Sequence, residues 1–450
     1  MVEYTPFDKP LQDISTEDIY SLEVPEGYYV EYKRALIERE KIAKIVASFA
    51  NTYGGTMLIG IDENSEDNTP EEYFCLGESE QDYKEKLRGI VNSRVDPPPR
   101  FSSHILKEET DGGMVIVVSI PESRNTPHIN NDGKIYRRTG EQSQPFREVT
   151  DSDVLDRLYE RRSEWRRRLA NFCNLSIDLT RGQDGSVESS EGWPYLELYG
   201  IPSTLGEDIC SEVLEDIEGF RRELEASELY FYDEEGTPNS AGEFGVANFA
   251  YRGTNDGVVA QDLRGSEQVD NIAHTPTTIT FFSDGGLKVF LPVSIKDIGE
   301  IEESNYQAIY DEFGDNMNTI RYLDGKTILS FVSIIMNSYV SLLEKYGWTS
   351  NKNRELYTMG RTVNTFRTTT LFSGKWYQEI IQTYGVPVCY EGSSKVPRVG
   401  YHELNWDIDQ RTTSIFELVA KTLQALGIPT NQRSNIEAEL VHELQRLRGT

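Results

Sequence analysis

Apolar residues recur at Ile42, Ile45, Val46 and Phe49, a spacing that lays a single stripe along a helix over residues 38–51. The stretch NTYGG ends that helix, with Gly54 and Gly55 suited to the positive φ of a C-terminal turn. TMLIGI at 56–61 is then short and continuously apolar, the pattern of a buried strand, and it stops at Asp62 and Glu63. Upstream, residues 28–33 read as a strand, and the polar residues 1–20 as an arm or short capping helix. Downstream, a helix over 83–95 is closed by DPPPR, and strands at 101–109 and 114–120 flank a D-G-G turn at 111–113. KIYRR at 134–138 is a further short strand. These elements predict an α+β domain over residues 1–150.

A helix over 153–172 follows, rich in arginine (Arg157, Arg161, Arg162, Arg166, Arg167, Arg168), and 151–172 read as a linker helix. Its glutamates Glu160 and Glu164 allow i,i+4 pairing, so it suits either a phosphate backbone or a solvated face. Residues 173–300 are expected to form a second α+β domain, with strands at 195–199 and 229–232 and a hairpin joining 278–282 to 287–291 through SDGG. From about 301 to 450 the pattern turns mostly helical. One helix over 414–426 opens on Ser414 and Glu417 and stops at Gly427. A last helix starts at Ser434 and carries Ile436, Leu440, Leu444 and Leu447 on one stripe. The apolar run TILSFVSIIMNSYVSLL at 327–343 is uncharged but contains Asn337 and four serines, which suits a buried central helix better than a membrane span.

Composition narrows the function classes. With 450 residues the chain is too long for one core, so two or three domains are expected. Its formal charge is −30, from 75 Asp+Glu against 45 Lys+Arg. A broadly acidic surface repels nucleic acid, so a nucleic-acid site needs a local basic face and its binding would be salt-sensitive. Cys75, Cys173, Cys210 and Cys389 form no CxxC, and no signal-peptide pattern is present; a reduced, cytoplasmic protein is expected. The five histidines show no paired ligand spacing. Gly325-Lys326-Thr327 lacks the earlier glycine of a phosphate-binding loop, since position 320 is isoleucine.

The candidate chemistry lies in PEGYYVEYK at 25–33. Glu26 and Glu31 stand five positions apart, with Lys33 two later. On a straight strand they point to opposite faces; on a helix they diverge by about 140°. They meet only if the chain bends between them, and Gly27 permits a bend. Glu31 and Lys33 share a strand face. Asp62 can reach the same spot if strand 56–61 pairs beside 28–33. Clustered carboxylates raise one another's proton affinity unless a cation neutralises them, and a hard divalent ion with oxygen ligands suits such a cluster. The alternative is a set of solvated edge charges. A PD-(D/E)xK reading of Glu31-Tyr32-Lys33 is disfavoured because its first acid normally lies farther away.

Several ordered motifs together resemble the Schlafen family: Glu26 with Glu31-Tyr32-Lys33, then Phe49-Ala50-Asn51-Thr52-Tyr53-Gly54-Gly55, then Ile59-Gly60-Ile61-Asp62, then Tyr136-Arg137-Arg138-Thr139-Gly140. The match covers roughly residues 22–147 and is similar to the Alba-like N-terminal domain of prokaryotic Schlafen-like proteins. The resemblance implies a metal-dependent endoribonuclease acting on structured RNA such as tRNA, in a setting of antiviral defence. It assigns Glu26, Glu31 and Asp62 to bind Mg²⁺ or Mn²⁺ and places Lys33 at the phosphate. Lys134, Arg137 and Arg138 become candidates for RNA contact, although the two arginines point to opposite faces of a strand. Gly27 stands where the family often has serine, and no second copy of the domain is found, so a homodimer would supply a partner lobe. No membrane partner is implied. The alternative is a non-catalytic nucleic-acid-binding or ATP/nucleotide-binding regulator on the same domain.

Overall fold

The computed structural model describes residues 6–429 except 8, 10, 37, 65–66, 78–79, 109–112, 141–144, 174–193, 204, 227–229, 233–237, 241–248, 263–276, 294, 297, 348–355, 373–374 and 402–407. The chain divides into two compact units, Met1–Asn174 with Thr349–Glu355, and Leu175–Trp348 with Leu356–Thr450.

The first unit runs through α1 (Thr16–Tyr20), β1 (Val30–Lys33), α2 (Arg39–Asn51), β2 (Gly55–Ile59), β3 (Asp62–Glu63), β4 (Pro70–Glu72), α3 (Glu80–Arg94), β5 (Val95–Asp96), β6 (Ser102–Lys107), β7 (Met114–Ile120), β8 (Ile129–Asn130), β9 (Tyr136–Arg138), β10 (Phe146–Glu148) and α4 (Ser152–Phe172). Its main sheet has the order β1-β2-β7-β6. β1 lies parallel to β2, with Val30 opposite Thr56 and Lys33 opposite Ile59, and the other pairs are antiparallel. The sheet is covered on both faces. Met57 and Ile59 pack into a core with Ile42, Ile45, Val46 and Phe49 of α2 and Leu87 of α3. Leu58 packs the other way, with Val30, Tyr32, Val115, Val117 and Ile19 of α1. This two-sided burial explains why β2 reads as unbroken apolar sequence instead of an alternation.

Gly54 has φ +74°, and a Cβ there would sit 2.7 Å from the Ile120 carbonyl oxygen and the Glu122 amide. The turn after α2 therefore requires glycine for both space and backbone conformation. α4 buries Val154, Leu158 and Trp165, and the Thr126 hydroxyl donates to the Leu158 carbonyl at 2.7 Å.

The second unit contains β11 (Tyr195–Pro202), α5 (Ile217–Ala226), β12 (Tyr230–Tyr232), β13 (Pro238–Ser240), β14 (Phe249–Gly253), β15 (Gly257–Asp262), β16 (Thr278–Phe282), β17 (Leu287–Pro292), β18 (Ile295–Lys296), α6 (Glu303–Phe313), β19 (Arg321–Asp324), α7 (Gly325–Tyr346), β20 (Leu356–Val363), β21 (Thr368–Leu371), α8 (Lys375–Tyr384), β22 (Val388–Cys389), β23 (Ser393–Tyr401) and α9 (Ile408–Ala425). A seven-stranded sheet has the order β14-β15-β16-β17-β11-β20-β23, so residues on both sides of position 300 build one sheet. The helical pattern read from about 301 corresponds to α6–α9; the same stretch also supplies β19–β23. The helix expected from Ser414 begins earlier, at Ile408. The helix expected from Ser434 lies outside the described residues, as does most of the turn at 111–113. The apolar run at 327–343 forms α7, which buries Phe331, Val332, Ile335, Tyr339, Leu342 and Leu343 in this unit's core. Among the described residues no helix is long and apolar enough to cross a membrane.

Candidate active site

β1 is an edge strand of its sheet, so the outward N–H and C=O groups of its backbone need partners. They find them in the segment just before it. The chain bends over residues 26–29, and the Gly27 amide donates to the Val30 carbonyl at 3.0 Å. That bend swings Glu26 back along the strand, where its Oε1 accepts from the Tyr32 amide at 3.2 Å. The bend does not depend on glycine. Gly27 lies outside the left-handed region, and a Cβ there meets nothing within 4 Å.

The bend brings Glu26 and Glu31 to one cation. Lys33 Nζ lies 3.2 Å from Glu26 Oε1 and 2.8 Å from Glu31 Oε1. Glu31 and Lys33 share a face of β1, as their spacing requires. Glu31 is fully buried and Glu26 is 5% exposed. The other oxygen of Glu31 accepts from Arg138 Nη1 at 2.6 Å. Arg138, 2% exposed, also donates through Nε to the Gly27 carbonyl at 3.1 Å and through Nη2 to the Val30 carbonyl at 3.2 Å. Its guanidinium lies 4.2 Å from the centroid of the Phe49 ring, a cation–π contact. One arginine from β9 thus ties down both the bend and the second acid.

The surrounding motifs serve this network. Gly55 gives Phe49 room: a Cβ there would come within 2.3 Å of the ring. Asn51 Nδ2 donates to the carbonyls of His128 and Tyr136, both at 3.0 Å, and its Oδ1 accepts from the His128 amide at 2.8 Å. The Thr52 hydroxyl accepts from the Arg138 amide at 2.9 Å. The end of α2 therefore sets the position of β9, and β9 sets Glu31.

The electrostatics follow from burial and crowding. Burial pushes the Glu26 carboxyl up to about 7, helped by Glu31 and Glu63 and opposed by Lys33. Burial pulls Lys33 down, but Glu31 and Glu26 more than offset it, so its pKa is raised. Glu63, which no sequence pattern singles out, is raised by burial and by the Glu31 charge, while Lys33 pulls it down; its Oε2 is buried without a hydrogen-bond partner among the described residues. His128 is 1% exposed, and burial lowers it to about 4.

Asp62 stands elsewhere. Gly60, at φ +105°, turns the chain at the end of β2, and the Gly60 amide donates to the Lys33 carbonyl at 2.7 Å. Asp62 then leaves the sheet, pairs with β4, and its carboxylate meets Arg34 Nη1 at 2.7 Å. Glu72 shares the same arginine. Among the described residues no group of three His, Cys, Asp or Glu side chains is placed to hold a metal ion. Glu26, Glu31 and Asp62 therefore do not fit a common Mg²⁺ or Mn²⁺ as they stand: an ammonium bridges the first two, and a guanidinium holds the third.

The expected RNA contacts also sort themselves. Arg138 is consumed by Glu31 and by backbone carbonyls, which corrects its expected place at an RNA surface: its side chain has no accessible area to offer. Arg137, next along β9, is half-buried on the opposite face. Lys134 is exposed and paired with Glu148 at 2.6 Å.

No curated protein is similar enough to the chain to count as a match. Among solved structures, the chain is similar to the crystal structure of the DIP2311 protein from Corynebacterium diphtheriae, at 11% identity and a TM-score of 0.22, over 70% of this chain and 85% of that one. Residues 26–147, the stretch that opens on Glu26, contains Arg138 and closes in β10, match the family described as Schlafen, AlbA_2, and the first unit of this chain carries a Schlafen/AlbA-like domain.

Proposed function

We propose that the first unit is an endoribonuclease of Schlafen type that cuts structured RNA such as tRNA. The observation that carries this reading is the convergence of two buried glutamates on one lysine ammonium, with Glu26 pushed up to about 7. A carboxyl of that affinity exchanges its proton near neutral pH, where general acid–base catalysis is most efficient. The ionised fraction of Glu26 takes the proton from the hydroxyl that attacks phosphorus. Lys33 balances the charge gathering on the phosphoryl oxygens as the new P–O bond forms and the leaving oxygen departs. The Arg138–Glu31 pair holds the strand that presents both groups. Dependence on Mg²⁺ or Mn²⁺, assembly as a homodimer and a setting in antiviral defence belong to the same proposal; bringing Asp62 to the centre would require it to leave Arg34.

A second reading, a non-catalytic nucleic-acid- or nucleotide-binding regulator, is favoured by the neutralisation of Glu31 by Arg138 and Lys33, which suits a structural role for the acids. Incubating total tRNA with the protein in Mn²⁺, in Mg²⁺ and in EDTA, beside the Glu26→Gln variant, separates the two. The nuclease reading expects cleavage that falls by about a hundredfold or more in Glu26→Gln. No cleavage by the parent, or equal cleavage by both proteins, removes it.

A further inference from the structure

Three tyrosines gather at the two motif segments that build the site, Tyr28 and Tyr53 exposed and Tyr29 half-buried against the core. The ring centroids of Tyr28, Tyr29 and Tyr53 lie 6.2, 6.5 and 6.4 Å apart, with interplanar angles of 46°, 53° and 38°. Tyr28 is 45% exposed and Tyr53 43%. Neither hydroxyl has a hydrogen-bond partner among the described residues, so neither ring is held out to place its oxygen on the protein. The rings are seated nonetheless. Gly140 leaves space for Tyr28, since a Cβ there would come within 2.5 Å of the ring. Tyr53 follows Thr52, whose carbonyl accepts from Arg161 Nη1 at 3.3 Å.

We propose that this tyrosine trio is a stacking platform for unpaired bases of an RNA strand, adjoining the Glu26–Glu31–Lys33 centre. The proposal rests on the nucleic-acid reading above and names how the strand is held. Tyr28 and Tyr53, each nearly half exposed, offer ring surface to bases, and base–aromatic stacking tolerates any sequence. The chain links are short: Tyr28 lies two residues after Glu26, and the intervening Gly27 carbonyl receives Arg138. The charge beside the platform also suits a phosphate backbone in an otherwise acidic protein. Arg161 and Arg124 lie close enough to repel one another, with Glu122 paired to Arg161 at 3.0 Å.

The test is fluorescence anisotropy with the full-length protein in EDTA, which keeps divalent ions from supporting cleavage. The probes are a labelled single-stranded oligoribonucleotide, its duplex, and an abasic oligomer of the same length. The variants are Tyr53→Ala and Tyr53→Phe, with Tyr28→Phe/Tyr53→Phe as a double. Tyr53→Ala is expected to weaken single-strand binding at least about tenfold and to leave the dependence on salt unchanged, because no phosphate contact is lost. The phenylalanine variants keep parental affinity, and the abasic oligomer binds parent and Tyr53→Ala alike. Equal single-strand affinity of parent and Tyr53→Ala overturns the platform while leaving the nucleic-acid reading standing. A parent that binds none of the three probes overturns both. Unchanged circular dichroism of Tyr53→Ala shows that any loss comes from the ring and not from unfolding.

Discussion

Replacing Arg138 by methionine removes a guanidinium from the middle of the first unit while keeping a long side chain to lie over Phe49. The loss can be worked from its contacts. Glu31 is fully buried, and Arg138 supplies the 2.6 Å partner of its Oε2. Breaking a buried pair from one side leaves an uncompensated charge and typically costs ~3–5 kcal/mol. Lys33 remains on the other oxygen at 2.8 Å, which sets the expectation at the lower end, about 3 kcal/mol. The Gly27 carbonyl also loses its donor, whereas the Val30 carbonyl keeps the Gly27 amide, adding about 1 kcal/mol. The assay is hydrogen exchange of the full chain, read on peptides covering residues 26–60. These should open roughly several hundredfold more readily, at tenfold per 1.4 kcal/mol. A double variant, Arg138→Met with Glu31→Gln, removes the carboxylate that Arg138 leaves behind, keeps the Lys33–Glu26 pair and should recover more than half of the loss. Protection in Arg138→Met within 1 kcal/mol of the parent, on the order of a surface-pair effect, would refute the reasoning, and so would a double variant no better than the single.

Other expectations follow from the same region. Glu26 binds its proton more tightly folded than unfolded, so its contribution to stability falls as pH rises from 4.5 to about 7. His128 is the reverse: the unfolded chain holds the extra proton between about 4 and 6.5, so its contribution is lost as pH falls through that window. In the parent the two slopes oppose one another. Glu26→Gln should leave a thermal midpoint that rises with pH across this range, and His128→Asn one that falls; two variants that track the parent would disprove it. Gly55→Ala forces a Cβ to 2.3 Å from the Phe49 ring and 2.6 Å from the Tyr29 carbonyl and should cost ~1–3 kcal/mol or more, whereas Gly27→Ala, with open space around it, should be within ±0.5 kcal/mol of the parent in urea denaturation. Asp62→Asn removes only an exposed ion pair with Arg34 and should change stability by less than about 1 kcal/mol, so a large loss of tRNA cleavage in that variant would show that Asp62 moves to the centre during the reaction.

The sequence discloses most of what builds the first unit because its elements obey simple periods. The stripe on α2 and the continuous run of β2 are set by local burial, and the parallel pairing of β1 with β2 follows from their shared core. Glu26, Glu31 and Lys33 are legible as a group because a bend is the only way to unite acids five residues apart. The identity of the third acid is not. Asp62 sits at the end of a predicted strand, and nothing local reveals that Gly60 turns the chain there and hands the carboxylate to Arg34. Glu63 shows no pattern because its nearness to Lys33 arises from that same turn. Arg138 is hidden for a different reason: alternation on a strand says that Arg137 and Arg138 diverge but not which one faces inward. In the second unit, short threonine-rich strands such as β21, buried throughout, carry too little periodicity to be separated from the helices around them.

Charge balance gives the site its further logic. Three carboxylates, Glu26, Glu31 and Glu63, act on one another here; Lys33 and Arg138 lie against them, while Lys41 and Asp62 act on Glu63 with opposite signs. One negative charge is in excess, and Glu26, with its carboxyl pushed up to about 7, is where a proton answers it. A phosphate brought to Lys33 would add more negative charge and draw part of the ammonium's attraction away from Glu26. Both effects raise Glu26 further. Within the proposed function, binding of an RNA phosphate near pH 7.5 is therefore coupled to proton uptake, a linkage that isothermal titration in two buffers of different ionisation enthalpy measures directly. A buffer-dependent heat in the parent, absent in Glu26→Gln, is the expected result. Equal buffer dependence in both proteins would place the proton on some other group and leave Glu26 as a cap for the edge of β1.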